Sequence, residues 1–476
     1  MIVPCAMAST YLPVDDESYD ILYRLEAEGI IQSGLLTTKP LSYREVVRLI
    51  SEAERNAEGR SIFIQNLVKS LKERFKDESD DVKYIKPVDL LYSRYVYADS
   101  DIQALYYNND GDLYEKGSNL RVGFTSRAEL GWLSFYINPE FRYSDADSDL
   151  IVKRVYGVLN FLGLELTAGK DSQWWGPGNH GAILVSNNAE PMTMLRLTNP
   201  QPVILPWIFK YLGPFRFVVF ATRLEKERDV PEPYLWGMRV NFKPHPYLEI
   251  GLQRTALLGG KGRPEDLSTW WKSFTALGET AVVNAVDDVG DQRAGFDVKL
   301  TLPFKWQPLQ VYAEAAGEDE AGGLPYKWAY LTGIYLPRIL NFERVGFRAE
   351  YATTHVEGSP DVWYTHGIYG PKAYTYKGRI IGHHMGTDSK DIFLEVSYLI
   401  PERNGRISIF YDRQEHNLSE TIREKKDEVD VNVDIKLAKD LKVKTSYGYG
   451  KIKNMGNIPG EDRKINIITG MISYNF

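Results

Sequence analysis

The stretch Ile465-Asn466-Ile467-Ile468-Thr469-Gly470-Met471-Ile472-Ser473-Tyr474-Asn475-Phe476 decides how the rest of the chain is read. In an extended strand successive side chains point to opposite faces. Ile468, Gly470, Ile472, Tyr474 and Phe476 then share one face, and Thr469, Met471, Ser473 and Asn475 share the other. Soluble domains usually fray at their ends and seldom finish on an exposed aromatic ring. An outer-membrane barrel places such a ring at its interfacial girdle, with the last strand closing the wall. A sandwich edge strand has the same alternation, so the remainder of the sequence must separate the two.

Composition narrows the field. The chain has 476 residues, a formal charge of −7 and 13% aromatic residues, 31 of them Tyr. The mild charge and the absence of a long basic run argue against nucleic acid as a partner. No apolar run approaches the roughly 18 residues of a membrane helix, which leaves barrel strands open because their alternation averages to a polar score. The single cysteine, Cys5, precedes Ala6-Met7-Ala8. That small-x-small pattern is the type cut by signal peptidase, and residues 1–8 read as the remnant of a signal peptide. Cleavage after Ala8 leaves a chain without thiols, suited to an oxidising periplasm.

Residues 9–83 carry a helical pattern and read as a small bundle of three helices. Asp16 is placed to cap a helix running to about Glu28, with Gly29 as its stop. Ser42 and Glu45 make a capping box. Ile64, Leu67, Val68, Leu71 and Phe75 form one apolar stripe. From about Lys86 the period becomes two. Val429, Val431, Val433, Ile435 and Leu437 alternate with Asp430, Asn432, Asp434 and Lys436, and similar runs recur to the end. Residues 84–476 therefore read as one antiparallel sheet system.

Connection lengths favour a barrel. Short links near 130–131, 161–162, 243–246, 303–308, 337–341, 401–405 and 438–440 alternate with longer ones. The longer ones fall near 99–118, 144–150, 224–233, 256–292, 317–326, 354–389, 415–427 and 450–463. Short periplasmic turns and long extracellular loops have this signature. About seventeen strands are clear. A barrel with both ends on one side needs an even number, so one more strand must lie within 172–210, and eighteen are expected. The ending at Tyr474 and Phe476 also resembles the signal read by the bacterial barrel-assembly machinery.

The stretch Gly169-Lys170-Asp171-Ser172-Gln173-Trp174-Trp175-Gly176-Pro177-Gly178-Asn179-His180-Gly181 is not a plain strand. Irregular backbone at membrane depth is stable only inside the protein or beside water. The segment near 172–210 is therefore expected to fold inward in part, as a plug or floor. Together with Ser186-Asn187-Asn188-Ala189 and Tyr376-Lys377-Gly378-Arg379-Ile380-Ile381-Gly382-His383-His384-Met385-Gly386, it resembles the Wzi family of capsule-assembly proteins. The resemblance implies a mainly β, eighteen-stranded outer-membrane barrel with a periplasmic N-terminal helical bundle. It also implies a non-enzymatic, lectin-like role in holding capsular or related surface polysaccharide on the cell exterior.

Sugars are held by aromatic faces and a few placed polar groups, and acidic sugars also by Arg or Lys. The two longest loops offer Arg263, Trp270 and Trp271, then Trp363, Tyr364, His366, Lys377 and Arg379 as glycan-binding candidates. Trp174, Trp175, Gly176, Pro177, Gly178, Asn187 and Asn188 read as the lumen motif, with Trp174 and Trp175 anchoring it. Four of the seven histidines (His355, His366, His383 and His384) lie in one loop, but no ligand spacing emerges and no metal or other cofactor is expected. The hydrolase, metalloprotease and phosphate-loop signatures are missing, so no enzyme is expected. The alternative to a polysaccharide-binding protein is a porin or polysaccharide exit channel, since porins have 16–18 strands.

Overall fold

The computed structural model describes residues 7–78, 83–275, 290–321 and 324–476. Of the signal remnant expected over residues 1–8, residues 1–6, including Cys5, lie outside them, as do 276–289 of the 256–292 loop. Eighteen strands form the wall. They are β1 Tyr84–Ala98, β2 Gly117–Glu129, β3 Leu133–Ser144, β4 Ser148–Phe161, β5 Leu164–Asp171, β6 Met192–Thr198, β7 Pro214–Arg223, β8 Tyr234–His245 and β9 Leu248–Leu258. The second half is β10 Gln292–Leu302, β11 Leu309–Ala321, β12 Leu324–Leu336, β13 Val345–Thr353, β14 Lys390–Ile400, β15 Gly405–His416, β16 Glu424–Lys436, β17 Leu441–Lys453 and β18 Arg463–Asn475. Each is antiparallel to its neighbours, and β18 returns to β1 with Leu90 opposite Asn475, closing the barrel.

The strand hidden within 172–210 is β6. It pairs with β5 (Gly169 opposite Met194) and with β7 (Val219 opposite Leu197). Only seven residues long, it turns Leu195 and Leu197 outward and Met194 and Arg196 inward. The inward fold takes in only part of the segment near 172–210. Residues 172–191 enter the lumen, whereas 199–213 lie at the rim with Trp207, Ile208, Phe209 and Tyr211 exposed. Loop lengths also depart from the expected alternation. Residues 145–147 alone join β3 to β4, and β11 reaches β12 through Ala321 opposite Leu324. The sequence around 317–326 misleads because the polar run Gly317-Glu318-Asp319-Glu320 belongs to a strand.

The side-chain distribution is the reverse of a water-soluble fold. Ile392, Leu394, Val396 and Tyr398 of β14 point outward, as do Ile407 and Ile409 of β15 and Val429 and Val431 of β16. Arg121, Arg127, Glu140, Arg239, Asp297, Glu314 and Asp412 are buried on the inner face. An apolar band of this extent would be a liability in water and is the normal exterior of a membrane barrel. The outward face of β18 carries Ile468, Ile472 and Tyr474, and Phe476 follows beside the Tyr474 ring at 4.8 Å.

Three helices precede the wall: α1 Ser18–Ala27, α2 Tyr43–Asn56 and α3 Ile62–Arg74. Ser42 caps α2 by accepting from the Glu45 amide at 3.1 Å. Asp16 accepts from the Ser18 amide at 2.8 Å ahead of α1, and Gly29 takes a positive φ of 73° just after it. The stripe of α3 packs with Leu22, Leu25, Leu49 and Val46 into a core made almost wholly of N-terminal residues, to which the wall adds Leu399 of β14. The rim at which β1 begins and β18 ends is termed the helix end, and the opposite rim the loop end.

Candidate functional site: a filled lumen and the surface above it

Two pieces of chain meet inside the barrel. Trp174 and Trp175 pair in antiparallel fashion with Lys39 and Thr38 from the N-terminal segment, and the Gly176 amide donates to Thr37 O at 2.9 Å. The Trp174 indole donates to Gly178 O at 3.1 Å, and the Trp175 ring meets Phe220 edge-on at 5.3 Å. Both indoles are buried. Beyond them the backbone is irregular, and wall carboxylates satisfy it. Glu350 accepts from the amides of Asn179 and His180 at 2.8 and 2.9 Å, and Glu314 accepts from that of Ile183 at 3.2 Å.

The long loop 354–389 folds down onto this insert. Tyr364 and Tyr374 donate to the carbonyls of Ile183 and Leu184 at 2.7 and 2.9 Å, their rings stacked 5.8 Å apart. The Ser186 amide donates to Ile381 O at 2.8 Å, and the Asn188 side chain to Ile380 O at 2.9 Å. The Asn187 side chain donates to Asn108 O at 3.0 Å. The two segments that carry the family likeness thus bind one another directly. Glycine is required where they touch. A Cβ on Gly181 would lie 2.1 Å from His383 Nε2, and one on Gly382 would lie 2.1 Å from Ile183 O.

Charge organises the space below. Glu26 of α1 accepts from Lys243 at 2.9 Å and Lys299 at 2.7 Å, all three side chains buried. Arg239 pairs with Asp297 at 2.5 Å and donates to Thr38 Oγ1 at 2.6 Å. Between the N-terminal helical segment, here termed the plug, and the 172–191 insert lies a cavity of about 650 Å³, lined by Asp16, Glu17, Lys39, Arg154, His180 and Lys444 among others. Burial pushes the Lys39 ammonium down to about 8. The ring faces of Trp174, Tyr19 and Tyr23, 4.8 to 5.5 Å away, favour its charged form against that penalty. Burial likewise takes His383 down to about 3 and His384 well below the usual imidazole range.

The glycan-binding candidates divide. Trp363 and Tyr364, 0% and 2% exposed, are sealed into the loop core. They leave the candidate surface because their rings, like Tyr369 and Tyr374, form the apolar interior that a loop of this length needs. Trp271 is 64% exposed on helix α4, Leu267–Thr275. Trp270 is half-buried against Tyr234 at 5.4 Å, and Arg263 is half-buried with its guanidinium 5.6 Å from the Tyr369 ring. Lys377 is exposed and pairs with Glu190 at 2.8 Å. Arg379 donates to Tyr106 O at 2.6 Å, and His366 is half-buried on the loop. No sequence spacing announced one further grouping. His180 of the insert, His384 of the loop, Asp391 of β14 and Asp412 of β15 bring one ligand atom each to within 4.8 Å of the others.

This molecule is an outer-membrane β-barrel whose lumen is filled from both ends. The family model for the capsule assembly protein Wzi matches residues 97–466, more than half of the chain, and the chain belongs to that family. An uncharacterized 55.8 kDa protein in the cps region of Klebsiella pneumoniae is 28% identical over 334 residues. That match spans 69% of this chain but only 62% of the relative. Among solved structures, the Escherichia coli outer-membrane protein Wzi, described as a carbohydrate-binding β-barrel involved in group 1 capsule assembly, superposes with a TM-score of 0.80. It is 23% identical, and 98% of this chain and 100% of that one are covered. Pseudomonas aeruginosa OccD3 (OpdP) gives a TM-score of 0.50 at 10% identity, over 82% and 91% of the two chains. These two likenesses concern the fold.

Proposed function

We propose that the chain is a non-enzymatic outer-membrane protein that binds capsular or related surface polysaccharide and holds it on the cell exterior. The loop end faces outward and the helices lie in the periplasm. The observation that carries this reading is the filled lumen. Plug, insert and loop 354–389 occupy the space a porin leaves open, so the barrel serves as a pedestal for its loop-end surface. Trp271 supplies a ring face there, and Arg263, Lys377 and Arg379 supply cations within the same loops. Family membership and the carbohydrate binding described for the Escherichia coli protein favour the same reading.

The test is binding of the strain's own surface polysaccharide to the detergent-purified protein, with planar-bilayer recording in parallel. Wild type is expected to bind and to give no large steady conductance steps. Trp271→Ala is expected to weaken binding about five- to tenfold, from the loss of roughly 1 kcal/mol of ring contact, with the thermal midpoint unchanged. Large steady steps without binding would favour a porin. A deletion strain is expected to shed polysaccharide into the medium, and a normal cell-bound capsule would overturn the proposal.

The outward apolar band meets outer-membrane lipid, and Tyr474 and Phe476 form the signal for the barrel-assembly machinery. Cleavage after Ala8 would place the new amino group at the Ser9 nitrogen, 3.2 Å from buried Glu165. N-terminal sequencing of the mature protein starting at Ser9 is the expected result.

A further inference from the structure

We propose that His180, His384, Asp391 and Asp412 bind one divalent transition-metal ion of the zinc class, which pins insert and loop to the wall. The donor set is His180 Nε2, His384 Nε2, Asp391 Oδ2 and Asp412 Oδ1. His180 Nε2 lies 3.4 Å from Asp412 Oδ1 and 3.6 Å from Asp391 Oδ2, and His384 Nε2 lies 3.2 Å from that same Asp391 oxygen. Zinc bonds to imidazole and carboxylate of about 2.0–2.1 Å imply tetrahedral edges of about 3.3 Å. Three of the six donor–donor edges therefore stand close to those of a tetrahedral ion, and the others, within 4.8 Å, would shorten on binding; two imidazoles with two carboxylates form a donor set that zinc accepts.

The hydrogen bonding is incomplete without a cation. His180 is 6% exposed and its Nε2 makes no hydrogen bond, and fully buried Asp412 has an Oδ1 that accepts none. These two unsatisfied atoms face each other across the site. The other carboxylate oxygen of Asp412 is occupied by Lys426 at 2.9 Å, which leaves Oδ1 for a second cation. Lys426 also pairs with Glu428 at 2.9 Å, so one ammonium is shared by two of the three carboxylates gathered here. Gln414 Nε2 faces Asp412 Oδ2 at 2.8 Å, Asp391 Oδ2 at 3.2 Å and, at 2.9 Å, His384 Nε2, which is a third acceptor in the Nδ1-protonated tautomer that ligates through Nε2. An amide nitrogen has two hydrogens, so one acceptor is then left over.

The imidazoles are held in orientation. His180 stacks on Phe393 at 4.0 Å and His384 on Tyr107 at 4.2 Å. His180 also lines the lumen cavity, which gives an ion a polar route to the site.

The experiment uses full-length protein extracted in detergent without chelators and freed of loose ions by gel filtration. Elemental analysis is expected to find one zinc-class ion per chain. Chelation followed by cobalt(II) is expected to give the visible absorption of a four-coordinate site, and chelation is expected to lower the thermal midpoint. His180→Gln should lose the ion, the cobalt spectrum and the chelator effect, whereas His355→Gln, outside the cluster, should keep all three. Should His180→Gln fail to fold, the wild-type cobalt spectrum and His384→Gln decide. The proposal is overturned by wild type that neither carries nor takes up a stoichiometric ion, or by a site that His180→Gln retains.

Discussion

The two fillings of the lumen are built on opposite principles. At the helix end, α1 to α3 form a miniature domain with an apolar core almost wholly its own, and buried ion pairs such as Glu26 with Lys243 and Lys299 tie it to the wall. At the loop end, the insert and loop 354–389 have no helix, and each completes the other. Backbone groups of one are bound by Tyr364, Tyr374, Ser186 and Asn188 of the pair, around a core of Trp175, Trp363, Tyr369 and Tyr374. A plug with a core of its own can move as a unit, whereas an insert that borrows its core cannot leave without unfolding. Charge therefore fixes where the plug sits, and shape fixes the insert.

The largest expected effect tests the charged half. Removing one partner of a buried pair leaves the other charges unpaired and destabilises by about 3–5 kcal/mol. Glu26→Ala takes from buried Lys243 its only carboxylate partner among the described residues, leaving it Gly34 O at 3.0 Å, and leaves Lys299 with Glu249 alone at 3.0 Å. Its plug amides are expected to lose hydrogen-exchange protection while the strands keep theirs. Equal loss in both would show that plug and wall fold as one unit and would erase the contrast.

A smaller effect tests the shaped half. Gly181→Ala drives a methyl group into His383, and overpacking of this kind destabilises by about 1–3 kcal/mol. Loop 354–389 is expected to become sensitive to protease while the N-terminal helices stay protected. In a His383→Ala background the penalty should largely vanish, because only contacting residues couple in a double-mutant cycle. An unchanged penalty would mean that something other than the imidazole dictates glycine there.

The contrast also explains what could be read from the sequence. The plug announces itself because Ile64, Leu67, Val68 and Leu71 repeat at helical spacing and Ser42 marks a cap. The wall does so because Val429 to Leu437 repeat at spacing two, and parity demanded β6 before its alternation was visible. The insert carries no period. Its glycines and tryptophans signal tight packing without saying against what, so Trp363 and Tyr364 look from the sequence like a sugar platform although they are core. The four-residue cluster is more hidden still. Its members lie on an insert, a loop and two strands, and only barrel closure brings them together.

The smallest expected effect concerns a charged contact beside the plug that lies in water. Arg344, whose guanidinium is 5.8 Å from the Phe63 ring of α3, donates both terminal nitrogens to Glu402, at 2.6 and 3.0 Å, in the turns of the helix end. That hydrogen-bonded guanidinium draws the Glu402 carboxyl down to about 2. A carboxylate depressed in the folded state adds stability above its unfolded value of about 4.3, and the addition fades as pH falls toward 2. Solvent screening holds such an exposed pair to a few tenths of a kcal/mol, 1 at most. Glu402→Gln is therefore expected to shift the thermal midpoint slightly at pH 7 and not at all near pH 2. A loss approaching that of Glu26→Ala would mean that the plug is held from the outside, by its rim, and not by the charges buried beneath it.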